Sequence, residues 1–191
     1  FPDKNNSKKI ITGGLRYKGL FKNSIQDYPL ISIIMPNYKE KNLLSAISSV
    51  TNQNYENVEL IVIDGNSGLD VTNLLRENNN EIDIWISEDD NGLWDAWNKG
   101  FKLARGDFVG VVDSSNFLYE NSMNILKNYI LSYKEIDFIC GTVKKGPKIY
   151  SGYRPKDIKK QFNIIPSSVV GLYIKMESLK KVGLLNLKYK I

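Results

Sequence analysis

The chain has 191 residues, enough for one substantial hydrophobic core and one domain, and its 42% hydrophobic and 25% charged residues are ordinary for a globular protein. It contains no histidine, which excludes catalysis and metal binding by imidazole, and its single cysteine, Cys140, excludes an internal disulfide. The formal charge of +5 is compatible with a nucleic acid, an anionic lipid or a phosphorylated substrate as partner. Because no tight basic run is interleaved with aromatic residues, a solvated lysine-rich surface is favoured and no nucleic-acid partner is predicted.

The sequence shows neither a membrane span nor a signal peptide. No apolar stretch approaches the ~20 residues that cross a bilayer, and the first residues lack an apolar signal core. We therefore expect a cytoplasmic protein, and a peripheral contact with the inner face of a membrane stays open. Since the first residue is Phe1 rather than Met, we expect an upstream segment or trimming.

The first 28 residues are polar, basic and glycine-containing, and they predict an arm or linker ahead of a domain that spans residues 29–191. From Pro29 onward, short apolar runs alternate with amphipathic segments. The runs predict strands over 30–35, 58–63, 82–86 and 108–112, and the segments predict helices over 41–50, from a capping Asp70 through Leu75, and over 92–104. This alternation predicts an α/β fold with a mostly parallel sheet and helices on both faces.

The alternation loosens after Asp113. A helix is predicted over 120–132, a short strand over 137–140 and a hairpin turn over 144–148. A last short helix is predicted over 176–182, closed by Gly183.

Polar residues follow three of the predicted strands directly. Asn37, the run Asp64-Gly65-Asn66-Ser67, and Asp113 each stand where an apolar run ends. Right-handed crossovers place the carboxyl ends of parallel strands at one edge of the sheet, which is where such sheets bind ligands. Each cluster is also compatible with an ordinary turn or cap, but their convergence predicts a site.

The predicted helix over 92–104 has a polar face and an apolar face. Asp95, Asn98, Lys99 and Lys102 share the polar face by their spacing, and Asp90 and Gly92 stand at the entry to the helix. The polar face is either a plain solvent side or a surface turned toward a ligand, and Asp90 either binds that ligand or caps the helix.

Four stretches in this order resemble the family 2 glycosyltransferases, inverting enzymes of the GT-A fold. They are PLISIIMPNYKE, VELIVIDGNSG, IDIWISEDDNGLWDAWNKGFKLARGDFVGVVDSSNFL and KKVGLLNLKYKI. The resemblance implies a GT-A domain over residues 29–191, with a nucleotide-sugar-binding half over 29–118 and an incomplete acceptor half over 119–191. It further implies transfer of a sugar, with inversion, from a nucleotide-diphospho-sugar, UDP-type favoured, to a glycan or lipid-linked acceptor.

The resemblance also implies which residues bind the donor. Pro36, Asn37 and Tyr38 would lie near the base, Asp64 would bind the base, and Gly65, Asn66 and Ser67 would lie beside it. Asp90, Asp95, Asn98 and Lys99 would line the nucleotide and sugar. Asp113 and Ser114 would complete the donor site, and Asp113 with Ser115 would hold Mg²⁺ or Mn²⁺.

Three departures from the family pattern bear on activity. Ser115 and Asn116 stand where the family has carboxylates, which predicts a weakened metal site. The run Ile165-Pro166-Ser167-Ser168 stands where close members carry a His-Gln pair, and the family's carboxylate general base is expected beyond Ile191. The alternative function is therefore a glycosyltransferase-like domain that binds a donor with little or no turnover; a nucleic-acid-binding module is the third and weakest hypothesis.

Overall fold

The computed structural model describes residues 10–150 and 171–188. Its elements are β1 (Ile11–Gly13), a 3₁₀ turn (Leu15–Lys18), β2 (Ile31–Asn37), α1 (Leu43–Thr51), β3 (Val58–Asp64), α2 (Leu69–Glu77), β4 (Ile84–Ser87), α3 (Leu93–Leu103), β5 (Phe108–Val111), α4 (Ser122–Ser132), β6 (Phe138–Cys140), β7 (Val143–Lys145), β8 (Lys148–Tyr150), β9 (Leu172–Lys175) and α5 (Met176–Val182). Seven strands form one sheet in the order β1-β4-β3-β2-β5-β9-β6, and β7 with β8 forms a separate hairpin.

The four central strands, β4, β3, β2 and β5, are parallel, as the alternating pattern predicts. Every residue of β2 and β3 is buried, because helices cover both faces of the sheet. Side chains of β2 alternate between the two layers: Ile33 packs in the core formed with α1 and α4, and Ile34 packs in the core formed with α3 and α5. The predicted α/β architecture is thus confirmed.

Residues 10–28, the described part of the N-terminal segment predicted over 1–28, do not form a separate arm or linker. β1 adds an antiparallel edge strand to β4. Arg16 forms an ion pair with the buried Glu59, and Lys22 Nζ lies 3.0 Å from a carboxylate oxygen of the buried Asp83. Two carboxylates that the sheet buries near the start of β3 and β4 therefore receive their cations from this segment, so residues 10–28 pack as part of the domain.

One further prediction needs correction, and one strand was not predicted. Asp70 does not cap α2, since the helix begins at Leu69 after Gly68 and has no side-chain cap hydrogen bond. β9 was not predicted: it lies antiparallel between β5 and β6, and the ring of Tyr173 occupies the space that a side chain at Gly110 would need. The hairpin at 144–148 and the helix over Met176–Val182 are confirmed. The run Ile165 to Ser168 lies outside the described residues.

None of the helices in the described ranges is both long enough and apolar enough to cross a bilayer.

Candidate functional site

The strand ends of β2, β3 and β4 meet at one edge of the sheet, in the register Asn37–Asp64–Ser87. Asp64 is fully buried. Its Oδ1 accepts hydrogen bonds from Asn37 Nδ2 at 2.7 Å and Ser67 Oγ at 2.5 Å, and its Oδ2 accepts from Ser67 N at 3.0 Å and Ser87 Oγ at 2.6 Å. A carboxylate offers about four acceptor positions, so this network uses all of them to order the loop that follows β3.

Ser87 was missed by the sequence analysis. It is 2% exposed and stands directly opposite Asp64 at the end of β4. Its place just after the predicted strand over 82–86 could have identified it, because Asn37, Asp64 and Asp113 occupy the same place at the ends of their predicted strands.

Gly65, Asp90 and Tyr38 approach one another closely above this edge. A Cβ atom at Gly65 would lie 2.7 Å from Asp90 Oδ2 and 3.2 Å from the Tyr38 ring, so only glycine fits there without a shift. Asp90 Oδ1 accepts a hydrogen bond from Gly92 N at 2.8 Å, and Asn66 Nδ2 donates to Asp89 Oδ1 at 2.9 Å. The loop after β3 and the loop before α3 therefore form one continuous wall, with the Tyr38 ring 65% exposed beside it.

Asp95 and Lys99 lie on the turn of α3 that faces the preceding loop. Lys99 Nζ lies 2.9 Å from Glu88 Oε1, 3.5 Å from Asp95 Oδ2 and 3.2 Å from the Asp89 carbonyl oxygen. Burial opposes the charged form of Asp95, but the Asn91 amide, 3.0 Å from Oδ2, and the Lys99 ammonium outweigh it and hold the pKa of that carboxyl below its usual value. Lys99 thus lies among acidic groups at the edge of the site.

Asn98 is not on that surface, and the polar face predicted for α3 is wrong at this position. Its side chain is 6% exposed, and its amide is bonded to the backbone of Leu185. Leu93, the first residue of α3, is apolar but 47% exposed. Spacing alone could not show this, because α5 and the segment after it cover a flank of α3 that the sequence leaves open.

Asp113 follows β5, separated from it by Val112, and lies beside the end of β2, where Ser114 N donates to the Pro36 carbonyl oxygen at 3.3 Å. Asp113 Oδ1 is buried without a hydrogen-bond partner in the described part of the chain, and burial raises the pKa of this carboxyl. Asn37 Oδ1 is a second buried acceptor in the same condition. The edge therefore presents two desolvated oxygen atoms that a ligand could satisfy.

The predicted metal site is only partly built. Ser115 is exposed, and its Oγ accepts a 3.3 Å bond from Asn116 Nδ2. Nowhere in residues 10–150 and 171–188 do three or more acidic or cysteine side chains gather as a cation site. The unpartnered Asp113 oxygen nevertheless fits a divalent cation, since such a cation is held in proteins by one or two carboxylates together with substrate phosphates.

A cavity of about 470 Å³ begins at Asn116, next to Ser115, and extends between α4 and the β7–β8 hairpin. Its lining is largely aromatic and aliphatic and includes Asn116, Phe117, Tyr119, Tyr129, Ile139 and Val143. Phe117 and Tyr129 are about half exposed, at 49% and 50%. An apolar hollow thus adjoins the polar edge at Asn116.

The family model for Glycosyl transferase family 2 matches residues 32–182, which include every strand end described above. The chain belongs to glycosyltransferase family 2. It is 33% identical over 107 residues to an uncharacterized glycosyltransferase of Haemophilus influenzae, covering 54% of this chain and 43% of that protein. It is 34% identical over 119 residues to the Escherichia coli UDP-Glc:alpha-D-GlcNAc-diphosphoundecaprenol beta-1,3-glucosyltransferase WfgD, covering 61% of this chain and 46% of that protein.

Solved structures share the GT-A fold of this family 2 domain. TarS of S. aureus in complex with UDP-GlcNAc superposes with a TM-score of 0.63 at 18% identity, over 80% of this chain and 47% of that one. The mannosyltransferase PcManGT of Pyrobaculum calidifontis, in complex with GDP-Man and Mn²⁺, superposes with a TM-score of 0.62 at 19% identity, over 83% and 48%. The chain spans about half the length of the curated relatives and solved structures that it matches.

Proposed function

We propose that this domain binds a nucleotide-diphospho-sugar, UDP-type favoured, and serves in the inverting transfer of its sugar to a glycan or lipid-linked acceptor. One observation carries the proposal: two buried oxygen atoms at the ends of neighbouring strands, Asn37 Oδ1 and Asp113 Oδ1, lack hydrogen-bond partners in the described residues. A buried acceptor without a partner costs stability, so its presence at the ligand edge of an α/β sheet favours a bound partner.

The base and ribose are assigned to the wall around Asp64. The Asp64 network orders residues Gly65 to Ser67. The Tyr38 side chain is 65% exposed and can stack on the base, and Asn37 Oδ1 can accept a hydrogen bond from an N–H group of the base. Asp90, Asp95 and Lys99 border the nucleotide and sugar. The UDP-GlcNAc bound by TarS supports a UDP-type donor.

The diphosphate is assigned to Asp113, Ser114 and Ser115. Mg²⁺ or Mn²⁺, when bound there, would supply positive charge against the departing diphosphate. Asp113 would hold the cation through its unpartnered oxygen, and Ser115 can add only a neutral oxygen. The Mn²⁺ complex of PcManGT supports this cofactor, and the single carboxylate supports a weaker site than the family pattern implies.

The acceptor is assigned to the apolar cavity that begins at Asn116. Its aromatic lining suits the lipid part of a lipid-linked acceptor, and the diphosphoundecaprenol named for WfgD supports that class. Such an acceptor would bring the protein to the inner face of a membrane as a peripheral protein. Residues 184–191 contain no Asp or Glu side chain, so none of them is assigned as the general base.

The second candidate function is donor binding with little or no turnover. It is favoured by the neutral Ser115 and Asn116 beside a lone Asp113. Measurable sugar transfer or donor hydrolysis by this chain would exclude it.

Titration calorimetry with UDP, with and without Mn²⁺, tests the donor site. We expect saturable UDP binding that Mn²⁺ strengthens, and loss of the Mn²⁺ effect in Asp113→Asn. Asp70→Asn, an exposed change in the first turn of α2, is the matched control and should bind as the unaltered chain does. No binding of UDP by the folded chain would reject the proposal.

A further inference from the structure

Helix α3 contacts two distant parts of the fold through adjacent residues. Lys99 holds the loop before α3 through Glu88 and the Asp89 carbonyl oxygen. Asn98, the residue before it, holds the segment that follows α5. The donor-side loop and the chain leaving α5 are therefore both tied to one turn of one helix.

The bond between Asn98 and Leu185 uses both polar atoms of the amide. Asn98 Nδ2 donates to the Leu185 carbonyl oxygen at 2.8 Å, and Leu185 N donates to Asn98 Oδ1 at 2.9 Å. The two residues lie 87 positions apart in sequence. A side-chain amide that pairs with both groups of a single residue fixes the position and the direction of that stretch of backbone.

In the described part of the chain, the stretch around Leu185 belongs to no helix or strand. α5 ends at Val182, Gly183 follows with a φ of 86°, and residues 183–188 form neither helix nor strand. Leu185 adds an apolar contact, since it packs on the cluster that contains Trp97 and Leu179. Apolar packing is non-directional, so the paired hydrogen bonds decide how the segment runs past α3.

We propose that Asn98 is a positioning residue, which clasps Leu185 so that the chain leaving α5 keeps a fixed course beside the donor-site helix. The inference rests on the proposed function for its catalytic consequence. Transfer requires acceptor and donor atoms to be held about 3–3.5 Å apart, and a misplacement of about 1 Å can lower the rate by about 100-fold. Asn98 thereby acts on turnover through the chain it holds, without touching the donor.

Hydrogen exchange tests the clasp itself. In Asn98→Ala, we expect the amide of Leu185, which donates to Asn98 Oδ1, to exchange at least about tenfold faster, while the amides of β2 and β3 keep their protection. Asn98→Asp retains the acceptor for Leu185 N and should keep part of the protection. Asn128→Ala, at an exposed asparagine of α4, is the matched control and should change nothing near Leu185. Unchanged exchange at the Leu185 amide in a folded Asn98→Ala overturns the proposal.

Donor affinity and turnover test the role. For Asn98→Ala we expect a UDP dissociation constant within about threefold of the unaltered chain, and a kcat for transfer lowered by about 10–100-fold with the donor KM unchanged. A tenfold loss of UDP affinity would place Asn98 in the donor pocket, and an unchanged kcat would make the clasp merely structural; either result overturns the proposal. Failure of the proposed function is distinct, because the unaltered chain would then bind no UDP while the exchange experiment still reports on the clasp.

Discussion

Carboxylates are buried at both ends of the central parallel strands, that is, at the two opposite edges of the sheet where these strands start and end. The protein neutralises the carboxylates differently at these two edges. Near the start of β3 and β4, Glu59 and Asp83 each have a cation from the N-terminal segment. At the strand ends, Asp64 has only neutral donors and Asp113 Oδ1 has no partner in the described residues. The charges of Glu59 and Asp83 are thus compensated by cations of the same chain. The uncompensated carboxylate of Asp113 marks the edge where a ligand is needed.

The largest expected effect on the free energy of unfolding comes from removing a cation that pairs with a buried carboxylate near the start of β3. Arg16→Ala would leave Glu59 as a buried charge whose partners are a Ser32 hydroxyl and the Arg105 amide. We expect a loss of about 3–5 kcal/mol in the free energy of unfolding, measured by urea denaturation. Lys181→Ala removes an exposed pair with Glu177 and should change stability little. Equal effects of the two variants would show that the buried Glu59 does not depend on its pair with Arg16.

The second effect concerns the ligand edge. Asp113→Asn removes the unpartnered oxygen's charge, so we expect Mn²⁺-dependent UDP affinity to fall at least about tenfold, or about 1.4 kcal/mol. The free energy of unfolding without ligand should stay equal or rise, because a desolvated charge is lost. Calorimetry and urea denaturation on the same preparation measure both quantities. A destabilised Asp113→Asn would show that the carboxylate serves the fold after all.

Ser87→Ala tests whether the hydrogen bonds to Asp64 contribute both to stability and to UDP binding. It removes one of four hydrogen bonds to Asp64, for which we expect a loss of about 1 kcal/mol in stability and a weaker binding of UDP. Ser122→Ala, which removes an exposed hydroxyl bonded to the Tyr119 carbonyl oxygen, is the control. UDP affinity equal to that of the unaltered chain would separate the Asp64 network from the nucleotide site.

The smallest effect is a pH dependence. Burial raises the pKa of Asp113 above its ordinary value, so the folded state holds this proton more tightly than the unfolded state does. Asp113 therefore lowers stability as pH rises from the unfolded pKa, about 3.9, through the raised folded pKa. The difference in unfolding free energy between the chain and Asp113→Asn should grow over that interval and then become constant. A flat difference would indicate an unshifted carboxyl.

Much of this arrangement was predictable from local pattern. The apolar runs predict β2 to β5, and a Gly-containing polar turn after β3 predicts the loop that Asp64 orders. Boundaries shifted by a residue or two, as at α1 and β4, because helix and strand ends depend on neighbours in space. The resemblance to the family anticipated the GT-A fold, which is confirmed.

Other features could not be predicted, for reasons that lie in three dimensions. Residues 10–28 looked like part of a basic arm, because the buried Glu59 and Asp83 that pair with Arg16 and Lys22 are identified only once the sheet exists. β9 is four residues long and antiparallel, and it fits beside β5 because Gly110 leaves room for Tyr173. The clasp of Asn98 on Leu185 joins residues 87 positions apart, beyond any periodicity.

The sequence by itself determined that β2 to β5 form and that Asn37, Asp64 and Asp113 reach one edge, since apolar runs and right-handed crossovers act locally and along the chain. Only the tertiary structure decided which polar groups find hydrogen-bond partners. Asp64 accepts four hydrogen bonds from its neighbours and Asn98 pairs with Leu185, whereas Asp113 Oδ1 has no partner in the described residues. Hydrogen-bond satisfaction is a property of atoms brought together in space, and it is what separates the residues that order this site from those left to bind.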